Sequence, residues 1–267
     1  MSLERKLLIV VDPTSSAHPA FDRAVSLVNA DPPASRPAVT LLFAVDHSTR
    51  DISAGNKAVY CDDAFLHTLS SRLKEVGVTP EIRISWSKDW AESILFTAEE
   101  VGASSIMVPH PGSTPGRSLS DEFWYLIRNS PVPVGILQGT TARQRKDVLV
   151  ALDFQDQKLN DLNRRILEAG KLVANRYGAQ LHVANAYGTS STYPDRARLI
   201  AETGLPNENI HLMSGDPSAI LAEVSKKLTP DLIMIGATRR TGIKAAMRGR
   251  KITQILNTIP QDIFIIV

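Results

Sequence analysis

Residues 231–251 read DLIMIGATRRTGIKAAMRGRK. An uninterrupted apolar run, Leu232-Ile233-Met234-Ile235, stops at Gly236, and further glycines follow at 242 and 249. Beyond the break stand six basic residues with no acid among them: Arg239, Arg240, Lys244, Arg248, Arg250 and Lys251. A buried strand ending in a glycine-containing cationic loop is a common receiver of anions, because backbone N–H groups and side-chain cations converge there. The plainer reading is a solvated basic loop between a strand and a helix, and a Gly-rich loop alone does not choose between them.

The surroundings of this stretch define the fold. Upstream, Asp216-Pro217 marks a helix start with the helix running to Leu228, preceded by a strand at 210–213. Further back lie a strand at 148–152 stopping at Asp153, an amphipathic helix at 159–177 ended by Gly178, and a strand at 181–186. Downstream, a helix is predicted from Arg250 to Asn257 and a last strand over 263–267. Residues 193–203 are left for one more helix.

The same order occurs earlier in the chain. Strands are predicted at 6–11, 39–45, 81–86, 105–108 and 134–137, and helices at 20–28, 64–76, 90–101 and 121–128. Residues 47–60 are polar and unpatterned, which reads as a surface excursion. Strands alternating with helices predict a parallel sheet covered on both faces. The halves also match locally. Ile9-Val10-Val11-Asp12 parallels Val150-Ala151-Leu152-Asp153, Ile94-Leu95 parallels Ile220-Leu221, and Ile106-Met107-Val108 parallels Ile233-Met234-Ile235. Ser130-Pro131 parallels Ile259-Pro260. Landmarks kept in order at similar spacing indicate a tandem duplication. Gly139–Arg145 is polar and aperiodic and reads as the linker, giving domains at 1–140 and 146–267.

Composition narrows the function. With 267 residues, 43% apolar and 22% charged, the chain can hold two ordinary globular domains. A net charge of +2 supplies no global field for nucleic acid or membrane. The single cysteine, Cys61, excludes an internal disulfide framework and a Cys-based zinc site, and Asp62 and Asp63 beside it disfavour a reactive thiolate. No apolar run approaches a membrane span or a secretory core, so the cytoplasm is expected.

These landmarks resemble the universal stress protein family, met twice, and the tandem arrangement is similar to its E type. The stretches that carry the likeness are KLLIVVDP, GVTPEIRISW, Tyr125-Leu126-Ile127-Arg128 and RRTGIKAAMRG. The resemblance covers nearly the whole chain, least at 47–60 and 188–206. It implies an α/β fold of two Rossmann-like (adenine nucleotide alpha hydrolase-like) domains, each a five-stranded parallel sheet of order 3-2-1-4-5, packed as an intramolecular pseudo-dimer. In such a sheet the winding reverses beside the first strand, so a crevice forms between the C-terminal ends of strands one and four. Nucleotide-binding members of the family use an acid after strand one and main chain at the end of strand two for the nucleoside. They use a G-x2-G-x9-G-[ST] loop after strand four for ribose and phosphates. Carried over by position, Asp153 and Val183 face a nucleoside, and Gly236 and Gly249 are the first and third motif glycines. ATP or another adenine nucleotide in the second domain is the cofactor this implies.

The chain departs from that motif. Arg239 stands where the second glycine belongs and Arg250 where Ser or Thr belongs. An arginine cannot give the close backbone approach of glycine, although its guanidinium can grip phosphate oxygens directly. In the first half, alignment back from Pro131 places Ser120-Asp121 at the Gly-Ser position. An aspartate repels phosphate, so Asp121 reads as a helix N-terminal residue with Ser120 as cap, and Asp12 as an inherited strand-end residue. Six histidines, at 18, 47, 67, 110, 182 and 211, show no metal-ligand spacing and read as structural. His110 follows strand four at crevice position. Trp86, Trp90 and Trp124 read as core or domain-contact residues. The expected function is therefore a non-enzymatic stress-response regulator with an unknown regulatory partner, no metal, and self-association into a homodimer as a further option. A slow ATPase or phosphoryl-handling enzyme, and a scaffold for an apolar ligand or protein partner, stay open.

Overall fold

A computed structural model describes residues 5–13, 15–45, 63–87, 89–110, 120–138, 146–189, 193–237 and 243–267; for Val45 and 243–250 it describes the backbone. The chain divides into two compact units that part between Ala142 and Arg143. The expected surface excursion at 47–60 and the linker at 139–145 lie outside the described residues.

The first unit runs β1 (Lys6–Val10), α1 (Pro19–Ala30), β2 (Ala38–Val45), α2 (Asp63–Glu75), β3 (Glu81–Trp86), α3 (Trp90–Glu100), β4 (Ser105–Pro109), α4 (Asp121–Asn129) and β5 (Val134–Leu137). Its strands are parallel in the order β3-β2-β1-β4-β5. The apolar runs become strands because both faces are covered: Leu8, Ile9, Leu41, Leu42, Ile106 and Met107 are wholly buried. Ser120 caps α4, its hydroxyl accepting from the Phe123 N–H (3.2 Å), with Asp121 and Glu122 in the first turn.

The second unit runs β6 (Asp147–Ala151), α5 (Asn160–Tyr177), β7 (Gln180–Tyr187), α6 (Arg196–Thr203), β8 (Ile210–Ser214), α7 (Pro217–Leu228), β9 (Leu232–Gly236), α8 (Ile243–Thr258) and β10 (Asp262–Ile266). Its order, β8-β7-β6-β9-β10, repeats that of the first unit. Both units thus have the expected 3-2-1-4-5 arrangement. Asp195 and Asp216 cap α6 and α7 through carboxylate oxygens, and Gly178 ends α5 at φ 62°, where a side chain would be strained. Ser218 and Ser225 lie two turns apart on α7; the Ser218 hydroxyl is 3.0 Å from the Gln254 side-chain amide on α8, and the Ser225 hydroxyl donates to Gln261 just beyond it (2.9 Å). No helix among the described residues is long and apolar enough to cross a membrane.

Two boundaries differ from the sequence reading, and both bear on the site. Helix α8 begins at Ile243, not Arg250. Lys, Ala, Met and Arg fill 244–248 and are strong helix formers, so the helix extends through Gly249, which costs about 1 kcal/mol relative to Ala. Strand β7 continues to Tyr187, because residues 183–187 pair with β8 across 210–214.

Candidate functional site

In the second unit, β6 and β9 are neighbours, with Val150 opposite Met234, so their C-terminal ends and the switch point fall together. Asp153 and Gly236 border this point, as the repeat alignment implies. Asp153 is engaged by its own loop. Its Oδ1 accepts from the N–H groups of Gln155 and Asp156 (both 3.2 Å). Its N–H donates to Asn163 Oδ1 (3.1 Å), and its carbonyl accepts from Asn163 Nδ2 (2.7 Å). Asn163 is buried on α5, so the helix clamps the loop that follows β6. Asn185, 1% exposed on β7, donates to the Leu152 carbonyl (2.9 Å), and its amide meets that of Gln155.

Gly236 has a packing reason. A Cβ there would lie 2.7 Å from Leu162 Cδ2 and 2.9 Å from Ile166 Cδ1, both on α5. Gly170 on α5 answers it from the other side, since a Cβ there would lie 2.6 Å from Val150 Cγ1. The two glycines let helix and sheet approach closely.

Of the other expected site residues, Val183, Gly249 and Arg250 fall within regular elements. Val183 sits in the middle of β7, fully buried, opposite Val150 on one side and Ile210 on the other. Tyr187, four residues further on, ends the strand. Gly249 and Arg250 lie inside α8, where backbone N–H groups bond within the helix, so the unbonded N–H groups belong to the turn beginning at Ile243. Arg239 lies outside the described residues, as does the side chain of Arg250. Of the six cations, Lys251 is described, and its Nζ lies 3.5 Å from Asp216 Oδ2 at the start of α7.

In the first unit, β1 and β4 pair with Ile9 opposite Met107, which brings Asp12 level with His110 beyond the strand ends. The strand ends are pinned, Val11 N–H to the Leu42 carbonyl and His110 N–H to the Leu137 carbonyl (both 2.9 Å). Here a cavity of about 410 Å³ opens, lined among others by Asp12, His18, Trp90, His110, Ser120 and Phe123, a size within the usual range of small-ligand sites. Trp90 and Phe123, in the first turns of α3 and α4, form an aromatic wall with ring centroids 6.3 Å apart. His18 immediately precedes α1 and packs on Phe65, centroids 5.5 Å apart. Burial holds its pKa below 6.5; Asp22 and Asp12 oppose that shift and Arg72 adds to it. His18 is therefore neutral at pH 7, a hydrogen-bonding group rather than a cation.

His110 was visible in the sequence as a crevice residue. His18, Trp90 and Phe123 were not, although a signal existed: in a parallel α/β sheet, the helix that follows a strand starts at the crevice end. Among the described residues no group of three side chains could hold a metal ion.

Two repeated α/β units, in each of which the strand order reverses beside the first strand, define a tandem Rossmann-like protein. The Universal stress protein family matches residues 4–138 and 195–266, and the chain belongs to that family. Universal stress protein E of Escherichia coli K12 is 23% identical over 302 residues, covering 100% of this chain and 95% of its own. The Haemophilus influenzae Universal stress protein E homolog is 20% identical over 292 residues, covering 96% and 94%. A crystal structure from Pseudomonas aeruginosa UCBPP-PA14 of the same family superposes with a TM-score of 0.78 at 24% identity, covering 99% and 93%. A universal stress protein from Archaeoglobus fulgidus DSM 4304 gives 0.74 at 19%, covering 98% and 95%.

Proposed function

We propose that this protein is a non-enzymatic stress-response regulator whose ligand seat is the crevice of the first unit, and that the ligand is nucleoside-like. The observation that carries this reading is the cavity of about 410 Å³ at the β1/β4 switch point. Among its described lining residues the charged group is a carboxylate, Asp12, and none is lysine or arginine. A carboxylate and the neutral His18 imidazole accept hydrogen bonds from ribose hydroxyls and base edges but give no purchase on a triphosphate. Trp90 and Phe123, inclined to one another by 53°, give the seat two aromatic faces, either of which can take a planar base. The regulatory reading is supported in the second unit as well, where the Asp153 carboxylate serves an Asx turn rather than standing ready as a base.

Calorimetric titration of adenosine, AMP and ATP tests this. Adenosine should bind at least as tightly as ATP, and Asp12→Ala should weaken it about tenfold, the loss of one hydrogen bond to a charged group. Asp153→Ala should leave it unchanged. No heat with any of the three would overturn ligand sensing by this crevice.

A second reading rests on the cationic stretch after β9. There Asp153, Gly236, Arg239, Gly249 and Arg250 would form a modified anion or adenine-nucleotide crevice in the second unit, without Val183. In that case ATP binding would survive Asp12→Ala and be lost in Arg239→Glu.

A further inference from the structure

Three adjacent strands of the second unit carry a line of titratable side chains: Asp147 on β6, His182 on β7 and His211 on β8. Asp147 Oδ1 lies 3.3 Å from His182 Nε2, and His182 Nδ1 lies 3.3 Å from His211 Nε2. The two ring centroids are 5.5 Å apart, close to that nitrogen separation plus a ring radius at each end, so the nitrogens face one another along the line of centres. Head-on nitrogens at this spacing leave room for a proton. A metal ion in line would need two bonds of about 2.0–2.1 Å, a longer gap than is present.

With both rings neutral, one proton arrangement satisfies every contact. A carboxylate only accepts, so His182 carries its proton on Nε2 and donates it to Asp147. The His182 Nδ1 lone pair then accepts from His211 Nε2–H, and both imidazoles are neutral. Other charged groups facing His211 are Arg196 on α6 and Lys227 on α7, both cations. His182 is 6% exposed and His211 is half-buried, so an added proton would enter a site with little water and two like charges.

The internal repeat shows that the fold does not demand histidines here. Carried through the strand registers, Asp147, His182 and His211 correspond to Lys6, Thr40 and Arg83 of the first unit. The line is a property of the second unit alone.

We propose that Asp147, His182 and His211 form an acid-operated latch on β8, which holds the outer strand of the second unit closed while the imidazoles are neutral and releases it under mild acid. Strand β8 is the outermost of that unit and, among the described residues, pairs with β7 alone, so it opens without breaking a second ladder. Opening frees His211 to take its proton at the ordinary value. Burial, His182, Lys227 and Arg196 all hold the closed-state value below 6.5. The sign follows: the closed form is fully favoured above pH 6.5 and loses ground as pH falls from 6.5 toward the lowered value. This inference is independent of the ligand seat in the first unit.

Amide hydrogen exchange of the full chain from pH 7.5 to 5.5, corrected for intrinsic rates, reads the latch directly. The opening constant of the β8 amides should be flat above pH 6.5 and rise by up to about tenfold per pH unit below it, the slope of one linked proton. His211→Gln should remove that slope, and His182→Gln should reduce it, while amides of β1 behave alike in all three proteins. Nitrogen-15 chemical shifts should show both rings neutral and Nε2-protonated at pH 7.5, with the His211 midpoint below 6.5. A flat β8 profile in the wild type, an equal slope in His211→Gln, or a His211 midpoint at or above 6.5 would overturn the latch.

Discussion

Gly236 has two rival explanations, a motif glycine kept for a ligand and a packing glycine kept for a helix. The geometry supports the second, since a methyl group there would press on Leu162 and Ile166. Gly236→Ala should therefore destabilise the protein by about 1–3 kcal/mol through overpacking, measured by urea denaturation. In a Leu162→Ala background most of that penalty should vanish, because the clashing atoms are gone. Asn163 supports a second prediction. Its amide serves both the N–H and the carbonyl of Asp153, so Asn163→Ala strips partners from two backbone groups. A loss of about 1–3 kcal/mol is expected in the same denaturation experiment. The sequence showed glycine and asparagine at these positions. It could not show that α5 comes close enough to need one and bond the other.

At the level of elements, helix starts carry most of the local information. Asp216 caps α7 through the N–H groups of Ser218 and Ala219, accepts from the Ser218 hydroxyl, and lies beside Lys251 on α8. The Ser218 hydroxyl bond is the main reason its pKa falls below 3.8; the two backbone N–H groups and Lys251 add to it, and partial burial opposes them. This group's contribution to stability is fully present above pH 3.8 and is lost as pH falls through the lowered folded value. Asp216→Ala should cost about 0.5–2 kcal/mol, as cap losses do. Asp216→Asn, which keeps the cap acceptor, should retain most of that stability yet flatten the melting-temperature profile between pH 5 and pH 2.5. Helix α8 teaches the converse. A phosphate motif was expected to end at its first turn, but helix formers carried the start back to Ile243 and enclosed Gly249 and Arg250.

At the scale of the whole molecule, duplication let the two halves diverge. All three tryptophans belong to the first unit, so selectively excited tryptophan fluorescence originates in that unit. Trp90 lines its crevice, so a ligand seated there should change the emission, and Trp90→Phe should diminish the response. The same site predicts a pH dependence. With His18 required neutral, adenosine affinity should be constant from pH 8 to 7. It should fall only at a pH below 6.5, because burial lowers the His18 pKa, and His18→Gln should flatten the profile. Calorimetry from pH 8 to 5 checks both.

The sequence by itself determined the architecture: apolar runs, helical spacings and the repeat of Ile9–Asp12 at Val150–Asp153 are local or periodic signals, and each predicted strand and helix exists. It also marked Asp12, Asp153, Gly236 and His110 as strand-end residues, because topology assigns those positions whatever their side chains do. Only the tertiary structure decided that a cavity opens beside Asp12 and His110, that Val183 is mid-strand, and that Asp147, His182 and His211 stand in line. Those outcomes depend on register and on the distance between packed elements, quantities set by side chains far apart in the chain. The first glycine of the stretch at 231–251 packs against a helix that begins some seventy residues earlier.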